Sequence, residues 1–153
     1  MMRLTRSPQG RREPSVKRIL VATDRSETAD RAVEWAAEMA DRYGSELVLL
    51  QVLGEGSGED AHREAASGLA ELSGRIAERA LFHVVVDSDP SRAIVQAAEE
   101  KGADVLVVGS FGMSGRKEFL LGNVPNRVSH NARCTVVIVN TGVGRSRGRL
   151  FKK

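Results

Sequence analysis

The 153-residue chain contains a single cysteine, Cys134. No intrachain disulfide can form, so a disulfide scaffold is excluded and a reducing, cytoplasmic location is expected. Histidine is scarce too: only His62, His83 and His130 occur. None stands in a recognisable Ser-His-Asp pattern, and His130 and Cys134 lack the second pair that would complete a zinc site. Aromatic residues make up 4%, too few and too scattered for a surface that stacks nucleic-acid bases. No apolar run approaches the ~18 residues of a membrane span. The basic opening MMRLTRSPQGRREPSVKR has no apolar stretch behind it, so neither a secretory signal nor a membrane partner is expected.

What is present is ordinary in amount but uneven in place. Hydrophobic residues are 41% and charged residues 28%, values that suit one globular domain with one core. The net charge of +3 divides into +5 for residues 1–18, +5 for residues 143–153, and −7 for the 12 basic and 19 acidic residues between them. The expected organisation is a basic N-terminal tail (1–16), a folded domain (17–141) and a basic C-terminal tail (142–153). Basic tails can attract nucleic acid or anionic membranes. Lacking apolar periodicity, these read instead as disordered ends dispensable for folding, and nucleic acid is not expected as a partner.

Within the body, short continuous apolar runs alternate with amphipathic stretches. Arg18–Ala22, Leu47–Leu53, Phe82–Val86, Asp104–Val108 and Thr135–Val139 read as buried parallel strands. Between the first two, Ala29, Ala32, Val33, Ala36, Ala40 and Tyr43 recur at helical spacing, with cap chemistry before them and Gly44 as a stop. A weaker helix is expected from about Glu59 to Glu78, interrupted by Gly68 and Gly74. Asp89 and Pro90 open another that ends at Gly102, and Asn123 is expected to cap a last one. The fold class is therefore α/β: a single-domain, open, five-stranded parallel sheet with helices on both faces.

Such sheets bind ligands at the carboxyl ends of their strands. Two polar segments leave those ends, Thr23-Asp24 and the glycine-rich stretch that starts at Gly109. Its glycines run Gly109-x2-Gly112-x9-Gly122 and lead into Asn123 at a helix start. Glycines let a backbone approach an anion, and helix-terminal N–H groups can bind phosphate. The same glycines can equally serve only to shape a long loop. No G-x4-G-K-[ST] and no G-x-G-x-x-G follow a strand, which argues against a P-loop and a dinucleotide fold. Arg116-Lys117 lies where phosphates could approach, and reads equally as a solvated charge pair.

Residues 17–141 resemble a universal stress protein domain. The likeness rests on KRILVATDRSETADRAVEWA, LLQVL, DPSRAIVQAAEEKGADVLVVGS and GMSGRKEFLLGNVPNRVSHNARCTVVIV, in that order. The ATP-binding branch of that family carries G-x2-G-x9-G followed by Ser or Thr, and the three glycines match. The resemblance implies ATP, with or without Mg, between the first and fourth strand ends. Ala22, Thr23 and Val52 would line the adenine pocket, Asp24 would bond the ribose or adjacent polar groups, and Val108 would also contact the nucleotide. Gly109, Gly112 and Gly122 would present backbone to ribose and phosphates, with Asn123 and Val124 at the terminal phosphate. Phe111 beside the loop would touch the base or anchor the loop. It also implies a stress-response module that hydrolyses ATP slowly at most, and a homodimer joined through Thr135–Val139.

Three positions depart from the family pattern. Asn123 replaces Ser/Thr, keeping cap chemistry with a bulkier side chain. Pro125 removes one N–H near the helix start. Ser88 stands where many relatives carry Gly. The alternative function is a nucleotide-free, dimeric interaction protein of the same fold.

Overall fold

The computed structural model describes residues 16–76, 80–110 and 123–141. In chain order the elements are β1 (Arg18–Ala22), α1 (Glu27–Tyr43), β2 (Glu46–Leu53), α2 (Glu59–Ile76), β3 (Ala80–Val86), α3 (Pro90–Lys101), β4 (Val105–Gly109), α4 (Val124–Asn131) and β5 (Thr135–Val139). The strands form one sheet in the order β3-β2-β1-β4-β5, and every neighbouring pair is parallel. The order reverses beside β1, whose two neighbours are β2 and β4. That pair of strands, β1 and β4, is the topological switch point.

Alternation along the central strands feeds two cores. Ile19 and Val21 of β1, Leu47 and Leu49 of β2 and Val107 of β4 pack with α1 and α2. Leu20, Ala22, Val48, Leu50, Leu106 and Val108 face the opposite way, against α3 and α4. This double burial explains why the sequence shows continuous apolar runs. Each fully buried Leu or Ile contributes about 1.5–3 kcal/mol relative to exposure, and Leu20, Leu49, Leu50 and Ile94 are all sealed from solvent.

The helix ends follow the cap chemistry read from sequence, with one exception. Ser26 Oγ accepts from the Ala29 N–H at 3.1 Å to start α1. Gly44 ends it in the left-handed region at φ 71°. Asp89 Oδ1 accepts from the Arg92 N–H at 3.2 Å at the start of α3. Gly102, at φ 68°, closes that helix. The exception is Asn123, which takes φ 46° and ψ 48° and makes no side-chain cap hydrogen bond. A capping side chain needs an extended backbone at the cap position, and a left-handed Asn points its carboxamide elsewhere.

Three other expectations change. Tyr43 is 52% exposed rather than buried, so the buried face of α1 ends at Ala40. β3 begins two residues before Phe82, with Ala80 paired to Leu47 and packed on the α1/α2 core. α2 continues unbroken through Gly68 and Gly74, held by Leu69 and Leu72 in the core.

Candidate functional site

Ala22 closes β1, and Thr23 and Asp24 follow at the switch point. Thr23 is buried, and its N–H donates to the Leu50 carbonyl at 2.9 Å. Its hydroxyl accepts from the Arg25 N–H at 2.9 Å. Asp24 Oδ1 accepts from the Ser26 N–H at 2.9 Å. Two successive side-chain turns thus fold the chain sharply between β1 and α1. They place the Asp24 carboxylate, half-buried, at the carboxyl end of the sheet.

Arg25 is what the sequence reading missed. It holds φ 66°, a left-handed conformation that costs a non-glycine residue about 1–2 kcal/mol. Its guanidinium reaches Asp30 at 3.8 Å, and Nη1 lies 4.0 Å from the place a β-carbon at Gly68 would take. Among the described residues, Arg25 Nε, Asp30 Oδ1 and Gln51 Oε1 are buried without a hydrogen-bond partner. The only sequence signal was the turn chemistry around it, which does not say which residue takes the strained conformation.

On the other face, Ala22, Val52, Val108 and Val124 all join the α3/α4 core. Four side chains expected around the adenine and phosphate therefore come together in one apolar cluster. Gly109 ends β4 above them, and Asn123, exposed, precedes α4. Phe111, Gly112 and Gly122, together with Arg116-Lys117, lie outside the described residues.

Behind the β3 exit, Asp87 Oδ1 accepts from the Asp89 N–H at 2.9 Å and from Arg92 Nη2 at 2.7 Å. The Asp89 N–H is the main reason the Asp87 carboxyl lies below its ordinary pKa. Asp89 is lowered likewise, chiefly by the Arg92 N–H. Ser88 is thus spanned by a side-chain turn that needs no glycine. The Cys134 thiol is pushed up by burial, which suits a packed residue and not a reactive one.

An open groove of about 610 Å³ lies elsewhere, between Ser57-Gly58, the first turns of α2 and Val86 of β3. None of the residues expected around the nucleotide lines it. Among the described residues no group of three or more His, Cys, Asp or Glu could hold a metal ion. No helix among them is long and apolar enough to cross a membrane.

An open parallel α/β sheet with a polar turn and a glycine at its switch point belongs to the doubly wound class, whose members bind ligands at that point. More narrowly, the chain belongs to the universal stress protein family, whose sequence profile matches residues 15–140. It is 32% identical over 145 residues to universal stress protein Rv1636 of Mycobacterium tuberculosis, covering 82% of this chain and 97% of that one. A universal stress protein solved in complex with cAMP is 31% identical, with a TM-score of 0.63 over 83% of this chain and 98% of the other. The universal stress protein from Archaeoglobus fulgidus in complex with dAMP is 25% identical, with a TM-score of 0.64 over 81% and 98%.

Proposed function

We propose that the chain binds ATP at the β1/β4 switch point and acts as a regulatory stress-response module in the cytoplasm. The observation that carries this reading is the meeting of Thr23, Asp24 and Gly109 at the switch point, above Ala22, Val52, Val108 and Val124. The cAMP and dAMP complexes of similar proteins support an adenine nucleotide as the ligand class.

The described residues fit such a ligand. The edges of Ala22 and Val52 offer an apolar seat for the base, and the Val52 backbone offers polar contacts to it. Asp24 supplies a carboxylate acceptor for ribose hydroxyls. The later glycines of the G-x2-G-x9-G spacing would let the backbone approach phosphate oxygens. Asn123 makes no cap hydrogen bond, which leaves its amide available to donate to the terminal phosphate. A bound Mg ion would neutralise phosphate charge, and the protein would hold it through the nucleotide. Slow turnover at most is expected, since Asp24 is assigned here to the ribose and not to a base beside phosphate. The functional unit is a homodimer that pairs through β5, an edge strand of the sheet.

One observation favours a second reading, a nucleotide-free interaction protein. Pro125 removes a backbone N–H in the first turn of α4, among the groups a phosphate would need. Mass spectrometry of ligand released from freshly purified protein separates the two. Stoichiometric adenine nucleotide is the expected result.

A further inference from the structure

Gly109 ends β4 at the switch point, and the space its missing side chain leaves is already filled. A β-carbon built there would lie 2.8 Å from Cγ2 and 3.2 Å from Oγ1 of Thr141. Thr141 is 0% exposed, so it cannot swing into solvent to make room. Two hydrogen bonds tie the same junction. The Ser110 N–H donates to the Val139 carbonyl at 2.8 Å. The Thr141 N–H donates to Ser110 Oγ at 3.1 Å. The end of β5 and the first residues beyond β4 therefore form one packed unit.

We propose that Thr141 is a positioning residue for the nucleotide site, acting through Gly109 and Ser110. Its methyl group seats the Gly109 backbone, and its N–H orients Ser110, fixing the direction in which the chain leaves β4. The first glycine of the G-x2-G-x9-G spacing is then required by a protein contact rather than by a phosphate. This inference rests on the nucleotide-binding reading of the switch point. It also accounts for glycine at a position where no left-handed φ demands one.

The test exchanges volume between the two positions. Thr141 Cβ lies 3.6 Å from the built β-carbon, an ordinary contact, so alanine fits at both sites once Cγ2 and Oγ1 are gone. Gly109→Ala alone is expected to lower Tm and weaken ATP binding about tenfold or more. The double variant Gly109→Ala/Thr141→Ala is expected to regain Tm, with an ATP Kd within about threefold of Thr141→Ala. A double variant that regains Tm but not ATP binding overturns the proposal, because the glycine then faces the ligand. Unchanged Tm and Kd in Gly109→Ala overturn it as well. If Gly109→Ala yields no folded protein, the double variant against Thr141→Ala decides by the same criteria. If the unmodified protein binds no ATP by calorimetry, the nucleotide-binding reading fails, and with it the role of Thr141 at that site. Recovery of Tm in the double variant still reports the Gly109–Thr141 contact separately.

Discussion

Asp89 Oδ2 and Arg127 Nη2 face each other across 3.4 Å, joining the first turn of α3 to the first turn of α4. Asp89 also caps α3 through its other oxygen, so one carboxylate serves two helix starts. Both partners are partly exposed, and an ion pair of that kind is worth little by itself. The cap is the larger effect.

Asp89→Ala is therefore expected to cost about 1 kcal/mol near neutral pH, and Asp89→Asn clearly less, since Asn still accepts from the Arg92 N–H. The Asp89 carboxyl is held below its ordinary pKa of 3.8, first by the Arg92 N–H and further by Ser91 and Arg127. A lowered folded-state pKa stabilises fully above pH 3.8 and is lost as pH falls through the lower folded value. Urea unfolding of the three proteins at pH 7 and in the acid range checks this. A gap between Asp89→Ala and the unmodified protein that widens in acid contradicts it.

Dimerisation through β5 is tested by proline on the open side of the strand. Val137 is the residue that strand pattern alone selects, but the Ser110 bond to the Val139 carbonyl fixes the phase. Residues of one strand point their N–H and C=O alternately to the two sides, so Thr135, Val137 and Val139 address β4. Val136 and Ile138 address the free edge. Ile138→Pro should weaken self-association while leaving the β4 ladder intact, and Ile138 is already 45% exposed. Sedimentation equilibrium reads the result. A monomeric unmodified protein at micromolar concentration removes the dimer from the account.

Truncation to residues 16–142 is expected to leave Tm within a few degrees of the full chain. The folded body is tied at its first described residues. Ser45 Oγ donates to the Val16 carbonyl at 2.7 Å, and Asp104 Oδ2 accepts from the Lys17 and Arg18 N–H groups. Thr141 is buried at the other end. Any nucleic-acid binding by the full chain should vanish in the truncated protein and fall steeply between low and physiological salt. A scanning-calorimetry drop of ten degrees or more contradicts the expectation.

The sheet was legible where a strand is buried on both faces. Leu20, Val48 and Leu106 on one side and Ile19, Leu49 and Val107 on the other leave no polar position to obscure the run. Local chemistry also carried over: Ser26, Gly44, Asp89 and Gly102 act within a few residues of where they stand. What escaped depends on distant partners. Ala80 joins β3 because Leu47 lies beside it. The contact that gives Gly109 its glycine comes from Thr141. Backbone sign was equally hidden, since the left-handed Arg25 and Asn123 are not marked by composition. Of the candidate site, Ala22, Val52, Val108 and Val124 share one apolar cluster, while Asn123 stands before α4 without the cap role.

The central claim, ATP at the switch point, is tested most directly at Asn123 and Pro125. Asn123→Ser restores the residue of the ATP-binding pattern. Because Asn123 makes no cap hydrogen bond and Ser disfavours φ 46°, the first turn must reset toward a capped start. Pro125→Ala returns one N–H. Gly112→Val, checked for folding by circular dichroism, should abolish binding by blocking backbone approach. Titration calorimetry with ATP is the deciding measurement. The account predicts saturable binding to the unmodified protein, roughly tenfold tighter in Asn123→Ser/Pro125→Ala, and none in folded Gly112→Val. Absence of ATP binding in the unmodified protein, in Asn123→Ser and in the double variant alike contradicts it.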